Sequence, residues 1–129
     1  MEDFQSMKHL NLEPIPPPLP SDFLLQIFTK QKILMTQYKW HDGKTQEEIT
    51  KEFAQAIASE AQELMNNCNW KPWKQERKDF DRTETIYEYI DILHFVINGL
   101  IALNVGPIEC QQHYLAKNKE NHERIKRNY

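Results

Sequence analysis

The sequence predicts an all-α protein built from four long helices, and three observations carry that expectation. Apolar residues recur at helical spacing from residue 22 onward. No stretch shows the alternation of a strand, and there is no internal repeat. Turn or breaker signals at 41–44, at Pro72 and at Gly106-Pro107 then cut the chain into segments whose lengths suit a bundle with short links. The 129 residues fit one domain, which typically has about 100–150. A chain of this size can bury a core without a disulfide or metal staple.

Residues 1–20 stand apart from the rest. Pro14, Pro16, Pro17, Pro18 and Pro20 fall close together, and such a run removes backbone donors and favours extended polyproline geometry. It reads as a proline-rich N-terminal arm, with the helical domain occupying 21–129. Ser21-Asp22 offers an N-cap for a first helix over about 22–40. Phe23, Leu24, Ile27, Phe28, Leu34 and Tyr38 follow helical spacing along it. After the turn His41-Asp42-Gly43-Lys44, Thr45 and Glu48 form a capping-box pattern opening a second helix that runs to about Asn69. Pro72 breaks the pattern, and a charged connector over 75–82 leads to a third helix from about Thr83 to Asn104. Gly106-Pro107 precedes a fourth, over about 107–127.

Composition excludes several function classes. With 3 Gly and neither GxGxxG nor GxxxxGK[ST], the chain has no glycine-rich phosphate loop of the Rossmann or P-loop kind. A net charge of -3 lacks the basic footprint of a nucleic-acid binder. Cys68 and Cys110 form no CxxC pattern and read as idle thiols of a reducing compartment. Met1-Glu2-Asp3 does not open a secretory signal. Ile90 to Val105, interrupted by Asp91, His94 and Asn98, is too short and polar for a membrane span, which takes about 20 apolar residues. A cytoplasmic location without membrane or nucleic-acid partners is expected.

Two acidic pairs carry the chemistry. Glu60 and Glu63 on the second helix, and Glu88 and Asp91 on the third, are each spaced i,i+3 and so share a helix face. Glu60 lies inside the apolar stripe Ile49, Phe53, Ile57, Leu64, with Glu63 at its edge. On the third helix Ile86, Ile90, Leu93, Ile97 and Leu100 form the expected core stripe. Glu88 and Asp91 point away from that stripe, share their side with Phe95, and are flanked by Tyr87, His94 and Asn98. The third helix is therefore expected to be buried on more than one side, with an acidic window. Carboxylates gathered inside a bundle must protonate, pair with cations or bind metal. An all-oxygen set suits Mg²⁺ or Mn²⁺ over Zn²⁺. The plain alternative is two exposed, salt-bridged acidic patches.

Two basic features accompany the acids. Trp70-Lys71-Pro72-Trp73-Lys74 offers flat rings for a base and cations for phosphate, or alternatively core packing beside solvated lysines. Lys117, Asn121 and Arg124 fall on one helical stripe, which suits a polyphosphate but is equally a charged surface.

In this order, EAQEL at 60–64, NWKPWK at 69–74, EYIDILHF at 88–95 and KNKENHERIKRNY at 117–129 resemble the all-α dNTP pyrophosphatases. That group comprises dimeric dUTPases, the dCTPase-dUTPases of T-even phages and the wider MazG-like proteins. The resemblance covers about 22–129 and implies their four-helix architecture. It further implies that Glu60, Glu63, Glu88 and Asp91 hold Mg²⁺, and that Glu63 also orients the attacking water. By the same resemblance Lys117, Asn121, Arg124 and Tyr129 close on the phosphates, and Lys71 and Lys74 add contacts to them. Trp73, His94 and Phe95 lie near base and sugar, Asn98 joins the substrate site, and Gln31 contacts the base. Three positions depart from the pattern. Met35 stands where many dUTPases carry Asp or Asn, Asn104 where Gly is frequent, and Asn128 in place of the Gly of a Gly-Tyr ending.

The expected activity is Mg²⁺-dependent hydrolysis of dUTP, dCTP or both to the monophosphate and pyrophosphate, controlling nucleotide pools, in a phage or its host. The alternatives are a MazG-like house-cleaning enzyme for purine or modified nucleotides, and a non-enzymatic helical interaction protein. A homodimer or higher homo-oligomer is expected, through Phe80, Tyr87, Ile108 and Tyr114.

Overall fold

In the computed structural model residues 22–39 and 41–128 are described. The proline-rich run, Ser21, Trp40 and Tyr129 lie outside them. Four helices follow one another, α1 (Phe23–Gln37), α2 (Gln46–Asn66), α3 (Arg82–Ala102) and α4 (Pro107–Lys126). No strand occurs among the described residues.

The helix starts have local causes. The Asp22 carboxylate accepts the Leu25 N–H at 3.0 Å, and the Thr45 hydroxyl oxygen accepts that of Glu48 at 3.1 Å. Asp81 does the same for Glu84 at 3.0 Å, so α3 begins one residue ahead of the expected Thr83. Each such cap stabilises its helix by about 1 kcal/mol. α4 has no side-chain cap and instead carries Pro107 in its first turn, where the missing N–H breaks no helical bond. Beyond α3 and α4 the chain turns at Asn104 (φ 62) and Asn128 (φ 56). Asn accepts this left-handed geometry, so both can stand in for glycine.

α1 and α2 end three residues before the expected limits, at Gln37 and Asn66. At the end of α2 the cause is competition from side chains for the backbone. The Asn69 amide donates to the Lys78 carbonyl at 2.8 Å and accepts the Lys78 N–H at 3.1 Å. The Arg77 guanidinium donates to the carbonyls of Asn69 and Lys71 at 3.2 and 3.4 Å. These bonds fold the connector back onto the end of α2.

The core lies where α2 packs along α3, with α1 against α3. Met35, Ile49 and Phe53 are buried together, and Phe95, Ile101 and Ala102 pack on them. The rings of Phe53 and Phe95 sit 6.3 Å apart. Met35, one of the departures from the family pattern, is thus a core residue.

The faces of α3 differ from expectation. Of the stripe Ile86, Ile90, Leu93, Ile97 and Leu100, only Ile97 is buried, and Ile90 and Leu93 are exposed. The side bearing Phe95 packs on α2 instead. Because α3 is apolar around most of its circumference, spacing alone did not select the side that meets α2. The outer side carries exposed Tyr89, Leu93, Val96 and Leu103, with Ile86 and Leu100 half-buried between them. Those positions follow the alternating three-and-four spacing of a packing seam.

α4 leaves α3 at a bend of 109° and touches the rest of the fold mainly through α1. None of its residues is buried. Among the described residues no single helix is long and apolar enough to cross a membrane. Cys68 and Cys110 are both free thiols.

Candidate functional site

The contact between Phe53 and Phe95 sets the register of α2 against α3. Two turns farther along α2 and two turns earlier on α3, about 10 Å from the ring pair, stand Glu60 and Glu88. The antiparallel helices therefore bring these two carboxyls face to face. Oxygens of Glu60, Glu88 and Asp91 lie within 4.8 Å of one another. The Oε2 atoms of Glu60 and Glu88 are buried without a hydrogen-bond partner. An uncompensated buried carboxylate oxygen is costly, so the cluster is charge-stressed.

Titration reflects that stress. Burial raises Glu60 above the usual carboxylate range, and the charges of Glu63 and Asp91 push it further up, against a hydrogen bond with Glu88 that lowers it. Burial, the same hydrogen bond and the charges of Glu63, Glu60 and Asp91 push Glu88 up to about 7. The Glu60–Glu88 pair thus holds on to a proton more tightly than free carboxyls do. Glu63 is exposed and outside the triad, but close enough to act on both. Three oxygen donors with two unpartnered oxygens fit a hard divalent cation.

Beside the triad lies a cavity of about 260 Å³ between α1, α2 and α3. Glu60 and Asp91 form its acidic side, while Leu34, Tyr38 and Phe95 form an apolar wall. His94, exposed, also lines it. Gln31 and Asn98 are 5% and 7% exposed. The Gln31 side-chain amide donates to the Asn98 amide oxygen at 2.5 Å. The sequence reading missed Leu34 and Tyr38 as cavity residues, although their helical spacing from Gln31, at i+3 and i+7, carried the signal.

The Trp-Lys loop forms a second and larger cavity, of about 430 Å³, at the end of α2. Asn66, on its wall, is about 9 Å along the helix from Glu60. Lys71, Lys74, Arg77 and Lys78 all line this cavity. The Lys71 ammonium sits over the Trp70 ring at 5.3 Å, and Trp70 meets Trp73 edge-on at 6.0 Å. Trp73 itself is 69% exposed and lines neither cavity. Arg77 and Lys78 escaped the sequence reading because they looked like part of a charged linker.

The α4 residues stand elsewhere. Lys117 and Asn121 are exposed, and Arg124 pairs with Glu120 at 3.4 Å. Neither Lys117, Asn121 nor Arg124 lines the acidic cavity. Tyr129 is outside the described residues. The structure therefore gathers Glu60, Glu88, Asp91, Gln31, His94, Phe95 and Asn98, with Glu63 at the rim. It leaves Lys71, Trp73 and Lys74 on a neighbouring loop and the α4 group apart.

A family model described as dUTPase matches residues 23–113. The chain belongs to the dUTPase family. All the triad and cavity residues fall within this family match, and Lys117, Asn121 and Arg124 lie beyond it. Similar curated relatives are a dCTP pyrophosphatase of Enterobacteria phage LZ5 and one of Enterobacteria phage T4. The first is 35% identical over 71 residues, covering 46% of this chain and 41% of the relative. The second is 34% identical over 71 residues, covering 46% and 42%. The match to this dUTPase-family chain thus spans about two fifths of those relatives' length. No solved structure matches it.

Proposed function

We propose that this chain is a divalent-metal-dependent pyrophosphohydrolase that takes dUTP, dCTP or both to the monophosphate and pyrophosphate. The observation that carries this reading is the Glu60–Glu88–Asp91 triad, with its two unpartnered oxygens, opening beside a cavity that contains a buried amide pair. The family match and the dCTP pyrophosphatase relatives support the same reaction class.

Glu60, Glu88 and Asp91, with Glu63 at the rim, would hold Mg²⁺, for which Mn²⁺ is the natural substitute. Bound there, the ion supplies charge neutralisation for the triphosphate and lowers the pKa of water. Glu63, exposed and one turn from Glu60, orients the attacking water and takes its proton. Gln31 and Asn98 meet the base, while His94, Phe95 and Trp73 flank base and sugar. Lys71 and Lys74 reach phosphate oxygens from the loop. Lys117, Asn121, Arg124 and Tyr129 close on the phosphates, with the lysine and arginine completing the charge, which requires α4 to swing inward at the 103–106 break. The seam of Tyr89, Leu93, Val96 and Leu103 supports a homodimer, and Phe80, Ile108 and Tyr114 are likewise exposed. The setting would be the control of pyrimidine nucleotide pools in the cytoplasm of a phage host.

The test is pyrophosphate release from each dNTP with Mg²⁺. Release is expected from dUTP or dCTP and not from dATP or dGTP. Folded protein that hydrolyses no pyrimidine dNTP overturns the reading.

A further inference from the structure

Lys71 and Lys74 stand at the first and last positions of a turn, closed by the Lys74 N–H donating to the Lys71 carbonyl at 3.2 Å. Pro72 takes the second position, where its fixed φ suits such a turn. The ends of a turn lie within about 7 Å of each other, and both lysines line the loop cavity. One Arg77 nitrogen, Nη1, donates to the Asn69 carbonyl at 3.2 Å and to this same Lys71 carbonyl at 3.4 Å. The guanidinium thus bridges the entry of the loop to the carbonyl that closes the turn.

Arg77 is placed by its neighbour. The Asn69 side chain pairs with the Lys78 backbone in both directions, at 2.8 and 3.1 Å, and the Lys78 ammonium donates to the Asn66 carbonyl at the end of α2. The head of Lys71 has a second anchor, since it sits over Trp70, whose indole N–H donates to Asn66 at 3.2 Å. Lys74 has no such anchor among the described residues, so only the turn sets where its side chain starts from. Lys71, Lys74, Arg77 and Lys78 line the cavity with one carboxylate, Glu76. Repulsion among these cations favours an open turn, and the Arg77 bridge holds it closed.

From this geometry we propose that Arg77 is a positioning residue, which holds the Lys71–Lys74 turn so that the two ammoniums meet the phosphates of one nucleotide together. The inference rests on the proposed reading in which both lysines reach phosphate oxygens. Arg77 itself acts through the turn and not on the substrate. Two charges held at a fixed spacing bind a polyphosphate at a lower ordering cost than two independent side chains.

Two measurements test the bridge. Backbone NMR of the protein without substrate reads the turn directly. In Arg77→Ala the order parameters of Trp73 and Lys74 are expected to fall from about 0.85 to below about 0.6. Unchanged values overturn the bridge, whatever the protein hydrolyses. Arg77 is exposed, so the variant is expected to fold. The second measurement compares KM and kcat for dUTP and dCTP at saturating Mg²⁺ in the wild type, Arg77→Ala, Lys71→Ala/Lys74→Ala and the triple variant. Arg77→Ala should raise KM about tenfold in the wild-type background and leave kcat unchanged. In the background without the two lysines it should add less than about twofold, because nothing is left to position. An Arg77 that binds phosphate itself raises KM equally in both backgrounds, which overturns the proposal. So does an unchanged KM in Arg77→Ala. If the wild type hydrolyses neither substrate, the functional reading falls and the positioning role with it.

Discussion

The α2–α3 junction and α4 carry the two charged halves of the proposed site under opposite structural conditions. At the junction, aromatic packing forces carboxyls together in a partly buried place, and the titration of Glu60 and Glu88 is displaced upward. On α4, the cations are exposed or paired along their own helix, none is buried, and none lines the acidic cavity. The contrast separates a preformed element from one that would have to be recruited. Electrostatic stress sits where the fold holds charge against its preference, and exposed α4 carries little of it.

The largest expected difference is in activity. Glu60→Gln or Asp91→Asn should abolish pyrophosphate release, while Glu60→Gln raises the melting temperature of the metal-free protein by relieving the buried charge. A metal-free variant that melts lower than wild type would contradict the stressed junction. Arg124→Ala is expected to lower kcat/KM but leave the Mg²⁺-induced rise in melting temperature intact. A lost Mg²⁺ response in that variant would mean that α4 helps hold the ion.

Next in size is stability. Phe53→Ala should cost about 3–5 kcal/mol by opening a cavity between α2 and α3. Leu115→Ala on α4 should stay within about 0.5 kcal/mol unless a second copy covers it. Denaturant melts of both variants measure the contrast directly.

The pH response is smaller and has a definite sign. Glu88 titrates near 7 in the fold, against 4.5 for an unperturbed carboxyl, and Glu60 is raised as well. Between those values the native state binds more protons than the unfolded one, so metal-free stability falls as pH rises. Affinity for a divalent ion should move the other way and strengthen as pH rises through about 7, because the ion competes with protons. Melting curves across pH 5–8 with and without Mg²⁺ check both trends; parallel curves would contradict them.

Much of the fold was legible because its signals are local. Asp22 and Thr45 cap as read, Pro107 starts α4, and Asn104 takes the left-handed turn beyond α3. The acidic pairs could be read because a carboxylate inside an apolar stripe conflicts with its surroundings. The side of α3 that meets α2 was not legible, since apolar residues occupy nearly its whole circumference. The link between Gln31 and Asn98 spans 67 positions, and no periodicity reports such a contact. The placement of α4 depends on a bend at 103–106 whose angle no local residue dictates.

The register between α2 and α3 has a mechanical consequence. Phe53 and Phe95 work like the pivot of a pair of calipers whose tips are Glu60 and Glu88. A slimmer pivot, as in Phe53→Leu, would narrow the gap between the tips. Substitution far from any carboxyl would then change which ionic radius the opening prefers, and Mg²⁺ and Mn²⁺ would serve as the gauge blocks.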